Sequence, residues 1–329
     1  MSHPFKPMKG FSHAHFQTIF PTLLKRNYRP KFIHEVLELP DGDRLDLAWQ
    51  HLPTEDDRPI VVLFHGLEGS VLSPYAYGMM EALDEKGLNA VVMHFRGCYK
   101  TPNRLARAYH SGETADARFF LEQLHQKFPL RPLAAIGFSL GGNMLMKLQG
   151  EWGDDSLLFA AVSVSAPLKL EETADYINHG SSRFYQWYLM QSLRESLLQK
   201  YEDHDYEALI GLKLEDVPKL KNFWEYDDLF TGPIHGFEDA KEYYEKSSAS
   251  QYLSAIRRPT LIIHAEDDPF MPVTVLPDPT ELPKNIEIEC SKHGGHVGFL
   301  GGTILKPEYW LQSRVPEYLL EKLPEKAPN

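Results

Sequence analysis

Short apolar runs alternating with helical periodicities set the plan of this chain. Residues 60–64, 90–93, 133–136, 159–164 and 259–264 are predominantly apolar over strand length. Such runs suit strands buried on both faces of a sheet. Residues 75–86 have helical length and stop at Gly87, where a left-handed cap suits glycine. Ala117, Phe120, Leu121, Leu124 and Phe128 share one face of a helix over 113–128. Residues 33–39 and 45–49 alternate around Pro40-Asp41-Gly42-Asp43, a β-hairpin pattern, and 286–289 reads as a further strand. The order predicts an α/β fold with a mainly parallel central sheet flanked by helices. The first thirty residues read as an irregular or short-helical arm ending at Arg29-Pro30.

One segment breaks the rhythm. Residues 169–247 contain no buried-strand run but many aromatics: Phe184, Tyr185, Trp187, Tyr188, Phe223, Trp224, Tyr226 and Phe230. Lying between two predicted strands, they read as a helical cap over the carboxyl ends of the sheet, where open α/β folds bind ligands. Trp187 and Trp224 are the first residues expected to line a pocket beneath it. The domain plan is therefore a core begun by 1–168, a cap or lid insertion at 169–247, and a core completed by 248–329.

Charge and cysteine content narrow the chemistry. The 34 basic and 46 acidic residues give a net charge of −12 with no basic block, which argues against nucleic acid as a partner. Two cysteines, Cys98 and Cys290, lack the spacing of a disulfide framework or a zinc site, so a reducing, cytoplasmic setting is expected. No apolar run approaches the ~18 residues of a membrane span. Peripheral contact with lipid is left open.

Residues 134–143, Ala-Ala-Ile-Gly-Phe-Ser-Leu-Gly-Gly-Asn, carry the strongest chemical signal. An apolar strand enters Gly-x-Ser-x-Gly and then a helix, the form of a nucleophile elbow. Gly137 and Gly141 keep the convergence of strand and helix open, and the strained turn lifts the Ser139 hydroxyl towards solvent. A serine hydroxyl needs a base, and the base needs a group that sets its tautomer. Such an elbow takes them later in the chain, acid before histidine. After 259–264 comes His264-Ala265-Glu266-Asp267-Asp268-Pro269, where Asp268 is the expected acid and Asp267 its competitor. His296, in Gly294-Gly295-His296-Val297-Gly298, is the expected base.

The oxyanion requires two donors. The backbone N–H of Leu140, after the nucleophile, is one candidate. That of Leu67, in His65-Gly66-Leu67-Glu68-Gly69, is the other. His293 and His296 have H-x-x-H spacing, but the helical setting and third ligand of a metal site are missing, so no metal is expected.

These motifs resemble the α/β-hydrolase superfamily. Phe16-Gln17-Thr18, Phe95-Arg96-Gly97-Cys98, Pro102-Asn103-Arg104-Leu105, Tyr109-His110-Ser111-Gly112-Glu113-Thr114 and Tyr243-Tyr244 further resemble its YheT-like esterase subgroup, related to eukaryotic α/β-hydrolase-domain lipid esterases. Tyr99-Lys100-Thr101 departs from the small and acidic residues usual in that subgroup. The resemblance implies an α/β-hydrolase fold with an inserted cap, and a serine hydrolase cleaving carboxylic esters of apolar, short- to medium-chain acyl groups or lipids. It implies Ser139 as nucleophile, Asp268 as acid, His296 as base, and no cofactor. Acyl transfer to an alcohol acceptor, or ligand binding without catalysis, are the alternatives the sequence leaves.

Overall fold

The computed structural model describes residues 4–24 and 30–325. The end of the N-terminal arm at Arg29 lies outside the described residues. Within the arm, α1 (Ala14–Leu24) is helical and the preceding residues are irregular. The predicted hairpin forms as β1 (Ile33–Glu38) and β2 (Arg44–Trp49), antiparallel with Ile33 opposite Trp49. There follow β3 (Ile60–Phe64), α2 (Pro74–Glu85), β4 (Asn89–Met93), α3 (Ala115–Lys127), β5 (Leu133–Phe138), α4 (Leu140–Trp152) and β6 (Leu158–Val164). After a long helical segment come β7 (Thr260–Ala265), β8 (Ile286–Ser291), a small hairpin of β9 (Leu300–Thr303) and β10 (Lys306–Tyr309), and the C-terminal helix Trp310–Lys322. Gly87, at φ 76°, supplies the left-handed turn after α2.

The eight-stranded sheet has the order β1-β2-β4-β3-β5-β6-β7-β8. From β4 onward every pairing is parallel. All residues of β3, β4, β5 and β7 are buried, which explains their lack of polar alternation. One apolar cluster joins Leu145, Leu148, Phe120 and Leu124 to one sheet face; another joins Met79, Met80, Leu83 and Leu319 to the opposite face.

Strand order reverses at β3. The chain steps from β3 to β4 on one side and then crosses to β5 on the other. A crevice opens at the carboxyl ends of two strands that diverge in this way. The loop after β3 holds Leu67; the turn after β5 holds Ser139. Topology alone therefore brings these residues, far apart in sequence, to one place.

Between β6 and β7 the described residues form no strand, only helices and turns, with α5 (Leu170–Ile177) and α6 (Arg183–Lys200) the first two α-helices. This segment has its own apolar cluster, built on Met190, Leu197, Tyr206, Val217, Tyr226 and Phe230.

Candidate active site

The elbow owes its shape to the close approach of three elements. Ser139 has φ 50° and ψ −120°, an unfavourable backbone region for a residue with a Cβ. Its N–H donates to Val164 O at 2.8 Å, and its carbonyl accepts from Gly142 and Asn143, so the strain is held from both sides. A Cβ at Gly141 would lie 2.5 Å from the Phe64 carbonyl oxygen, and one at Gly137 would strike the backbone of Gly141 and Gly142. These are the contacts the Gly-x-Ser-x-Gly pattern leaves room for.

Three predicted residues meet here. His296 Nε2 lies 3.0 Å from Ser139 Oγ. On the other side of the ring, His296 Nδ1 lies 2.9 Å from Asp268 Oδ2. Asp268 is buried, 1% exposed, and its second oxygen accepts the Phe270 N–H at 2.8 Å. Asp267 makes different contacts: it accepts the Gly295 N–H at 2.9 Å and lies 3.4 Å from His293 Nδ1. Asp267 therefore braces the loop carrying His296, and Asp268 touches the imidazole.

The loop after β3 presents the other candidate donor. Buried His65 accepts the Phe95 N–H on Nε2 and donates from Nδ1 to Gly66 O at 2.7 Å. Burial, with His94 nearby, pushes its pKa down to about 3, so the ring stays neutral and holds that tautomer. Tyr75 Oη accepts the Gly66 N–H and Tyr109 Oη the Glu68 N–H, each at 2.8 Å. The Leu67 N–H between them meets no acceptor among the described residues. The Leu140 N–H opens the first turn of α4, where amides lack intrahelical partners.

Several supporting contacts have no signature in the local pattern. The Phe270 ring stacks on His296 at 3.9 Å and 4°, and Tyr185 packs on Phe270 at 4.9 Å. Thr18 Oγ1 accepts the His296 N–H at 2.9 Å. Gln17, fully buried, donates to Phe11 O and Leu300 O and accepts the Leu300 N–H. Phe16-Gln17-Thr18 thus fastens the histidine loop to α1. Asn143, also fully buried, donates to Ser111 O and Ser247 O and accepts the Ala249 N–H, tying α4 to the loop at Ser111 and to the end of the helix Ala240–Ser247. Gln17→Leu would leave the Leu300 N–H and the Phe11 carbonyl unpaired, while Leu300 O keeps the Met8 N–H, at about 1–3 kcal/mol for each unpaired group in the worst case. A fall of several degrees in melting temperature is expected in a thermal scan; an unchanged melting temperature would remove this anchoring role.

A cavity of about 880 Å³ opens over Ser139 and His296. One face of α6 forms its roof, with Phe184, Tyr188, Leu189, Leu193 and Leu197 among the lining residues. From Phe184 to Lys200 that roof runs roughly 24 Å at the helical rise of 1.5 Å per residue. The expectation for two tryptophans is corrected. Trp187 projects from the opposite face of α6 and is 54% exposed. Trp224 packs edge-on against Tyr244 at 4.8 Å, and its indole N–H donates to Asp175 at 2.8 Å. Neither lines the cavity.

Fold and site define a hydrolase class. The chain belongs to the α/β hydrolase fold family, whose model matches residues 59–303. It is 47% identical over 324 residues to YheT of Escherichia coli (strain K12), a protein named as an esterase, covering 98% of this chain and 95% of that one. A monoacylglycerol lipase of Saccharomyces cerevisiae is 30% identical over 291 residues, covering 86% of this chain and 61% of the yeast protein. Among solved structures, the Pyrococcus furiosus esterase Pf2001 superposes with a TM-score of 0.55 at 16% identity, over 90% of this chain and 96% of that one, which is a likeness of fold. Family membership and the esterase relative make the chain an ester hydrolase with a small-molecule ester substrate. No helix among the described residues is long and apolar enough to cross a membrane.

Proposed function

We propose that the chain cleaves esters of apolar acyl groups through a covalent acyl-enzyme on Ser139, with His296 as base and Asp268 as its orienting acid. The observation that carries this reading is the relay of two hydrogen-bonding distances, 3.0 Å and 2.9 Å, at a strained serine beneath the cavity. Ser139 Oγ attacks the ester carbonyl carbon while His296 Nε2 accepts its proton. The Asp268 carboxylate stabilises the imidazolium so formed. The carbonyl oxygen, now negative, is received by the Leu67 and Leu140 N–H groups, each such donor being worth about 10²–10³ in rate. As the tetrahedral species collapses, the alcohol leaves with the proton from Nε2. Water then attacks the acyl carbon, His296 takes and returns its proton, and the carboxylic acid is released from Ser139.

The cap residues 169–247 are assigned the acyl-binding role, supported by the apolar α6 face above Ser139. A fluorophosphonate should form one adduct, mapped by mass spectrometry to Ser139; an adduct elsewhere would remove the nucleophile assignment. Acyl selection is tested with p-nitrophenyl esters of rising chain length. Each buried methylene is worth about 0.8 kcal/mol, so losing contact with two lowers the octanoate-to-acetate ratio of kcat/KM roughly tenfold. Leu189→Ala and Leu193→Ala are expected to do this, and Trp187→Ala, outside the cavity, to leave the ratio unchanged. A constant ratio across all three, in folded protein, would show that α6 does not contact the acyl chain.

A further inference from the structure

Glu68 stands next to a proposed oxyanion donor in a conformation that its own side chain does not favour. Its φ is 53°, in the left-handed region, although its side chain carries a Cβ. Three hydrogen bonds hold it there. The Glu68 N–H donates to Tyr109 Oη at 2.8 Å, and Tyr109 Oη returns its own proton to Glu68 Oε1 at 2.8 Å. Burial pushes the Tyr109 pKa well up, so that hydroxyl keeps the proton it donates. The other carboxylate oxygen accepts from Ser196 Oγ at 2.6 Å, and Ser196 belongs to α6, the roof of the cavity. Glu68, Ser196 and Tyr109 all line that cavity.

We propose that Glu68 is a positioning residue that couples the seating of α6 to the oxyanion site. The inference rests on the reading of Leu67 as an oxyanion donor. A peptide plane is set by the residues on both sides of it. Before Leu67, Tyr75 Oη pins the Gly66 N–H, and His65 Nδ1 and the Gly69 N–H hold the Gly66 carbonyl; after it, the Tyr109–Glu68 ring pins the next amide. Only the second of these ties reaches the cap, through Ser196. With α6 seated, the Glu68 carboxylate bridges roof and loop and the Leu67 N–H points into the crevice. With α6 displaced, one of the two side-chain bonds that offset the left-handed backbone is lost, and the loop relaxes towards ordinary φ values. An acyl chain that packs against α6 thereby also sets the donor that serves its own carbonyl.

The coupling acts through hydrogen-bond geometry rather than charge, so glutamine should replace glutamate. In the Glu68→Gln variant the side-chain carbonyl oxygen would accept from Tyr109, and the amide nitrogen would donate to Ser196 Oγ. Glu68→Ala, Glu68→Gln and Ser196→Ala are compared with wild type in two assays: steady-state p-nitrophenyl octanoate hydrolysis, and inhibition by an alkyl boronic acid, whose tetrahedral adduct on Ser139 places an oxygen at the oxyanion site. For Glu68→Ala, both kcat and boronic acid affinity are expected to fall at least tenfold while KM changes less than threefold, a pattern of transition-state loss. Glu68→Gln is expected within threefold of wild type in both assays. Ser196→Ala, which removes only the cap contact, is expected to lose about three- to tenfold in boronic acid affinity; it also serves if Glu68→Ala does not fold. Unchanged boronic acid affinity in Ser196→Ala overturns the coupling, as does a loss in Glu68→Gln equal to that in Glu68→Ala. A wild-type enzyme that the boronic acid does not inhibit overturns the Ser139 and Leu67 reading itself, and this inference with it.

Discussion

Ser139→Ala is expected to lower p-nitrophenyl ester turnover by about 10⁶-fold, the scale set by removing a serine nucleophile that works as a unit with its base. At 1.36 kcal/mol per factor of ten this is roughly 8 kcal/mol of transition-state stabilisation. The effect is large because, among the described residues, no other hydroxyl or thiol lies within hydrogen-bonding distance of His296 Nε2. Cys98 also lines the cavity, but burial and the Glu68 carboxylate push its thiol pKa well up, so it stays in its unreactive neutral form. Alanine keeps the Cβ and the backbone bond to Val164 O, so the melting temperature should hardly move. Activity within a hundredfold of wild type in the folded variant would mean that Ser139 is not the nucleophile, and alkylation of Cys98 would then be the next measurement.

The second large effect separates two adjacent carboxylates. Asp268→Asn is expected to lower kcat by about 10⁴, because the imidazole is left in the wrong tautomer. The local hydrogen bonds explain why the new amide cannot simply turn over. The Phe270 N–H demands an acceptor where Asp268 Oδ1 now sits, at 2.8 Å. Asparagine meets that demand only with its oxygen, which directs its NH₂ group at His296 Nδ1. The imidazole must then accept on Nδ1 and carry its proton on Nε2, where it cannot receive the serine proton. Asp267→Asn keeps the acceptor for the Gly295 N–H and should cost less than tenfold. Equal losses at the two positions, measured by kcat with intact folding, would rule out the division of roles.

The elements most legible in the sequence are those whose burial is complete. Strands β3, β4, β5 and β7 read as predominantly apolar runs, with Asn89, Thr260 and His264 the buried polar exceptions, because parallel strands covered by helices on both faces favour apolar side chains at every position. The hairpin of β1 and β2 is legible for the opposite reason: β1 lies mostly exposed at the sheet edge, and its partner is buried. The hairpin of β9 and β10 does not show in the pattern, since Gly301, Gly302 and Pro307 mask any strand signal in so short a segment.

The α/β class and the glycine-serine elbow are written in the chain itself, which also limits the proposed acid to one of two neighbouring aspartates. The class follows from the alternation of strand and helix periods along the chain, whereas the elbow and the pair of aspartates each lie within a few consecutive residues, where chain geometry alone dictates what touches what. Tertiary packing sets the rest. Whether Asp267 or Asp268 faces His296 depends on the direction each side chain takes out of one tight turn after β7. Trp187 rather than Tyr188 points away from the cavity because of how α6 is rotated over the sheet, which aromatic content does not encode. Gln17 and Thr18 hold a loop nearly three hundred positions away, and Glu68 meets Ser196 across 128 positions. Such contacts follow from where the reversal of strand order at β3 and the packing of the helical segment between β6 and β7 bring distant segments together, and no local pattern in the chain carries that information.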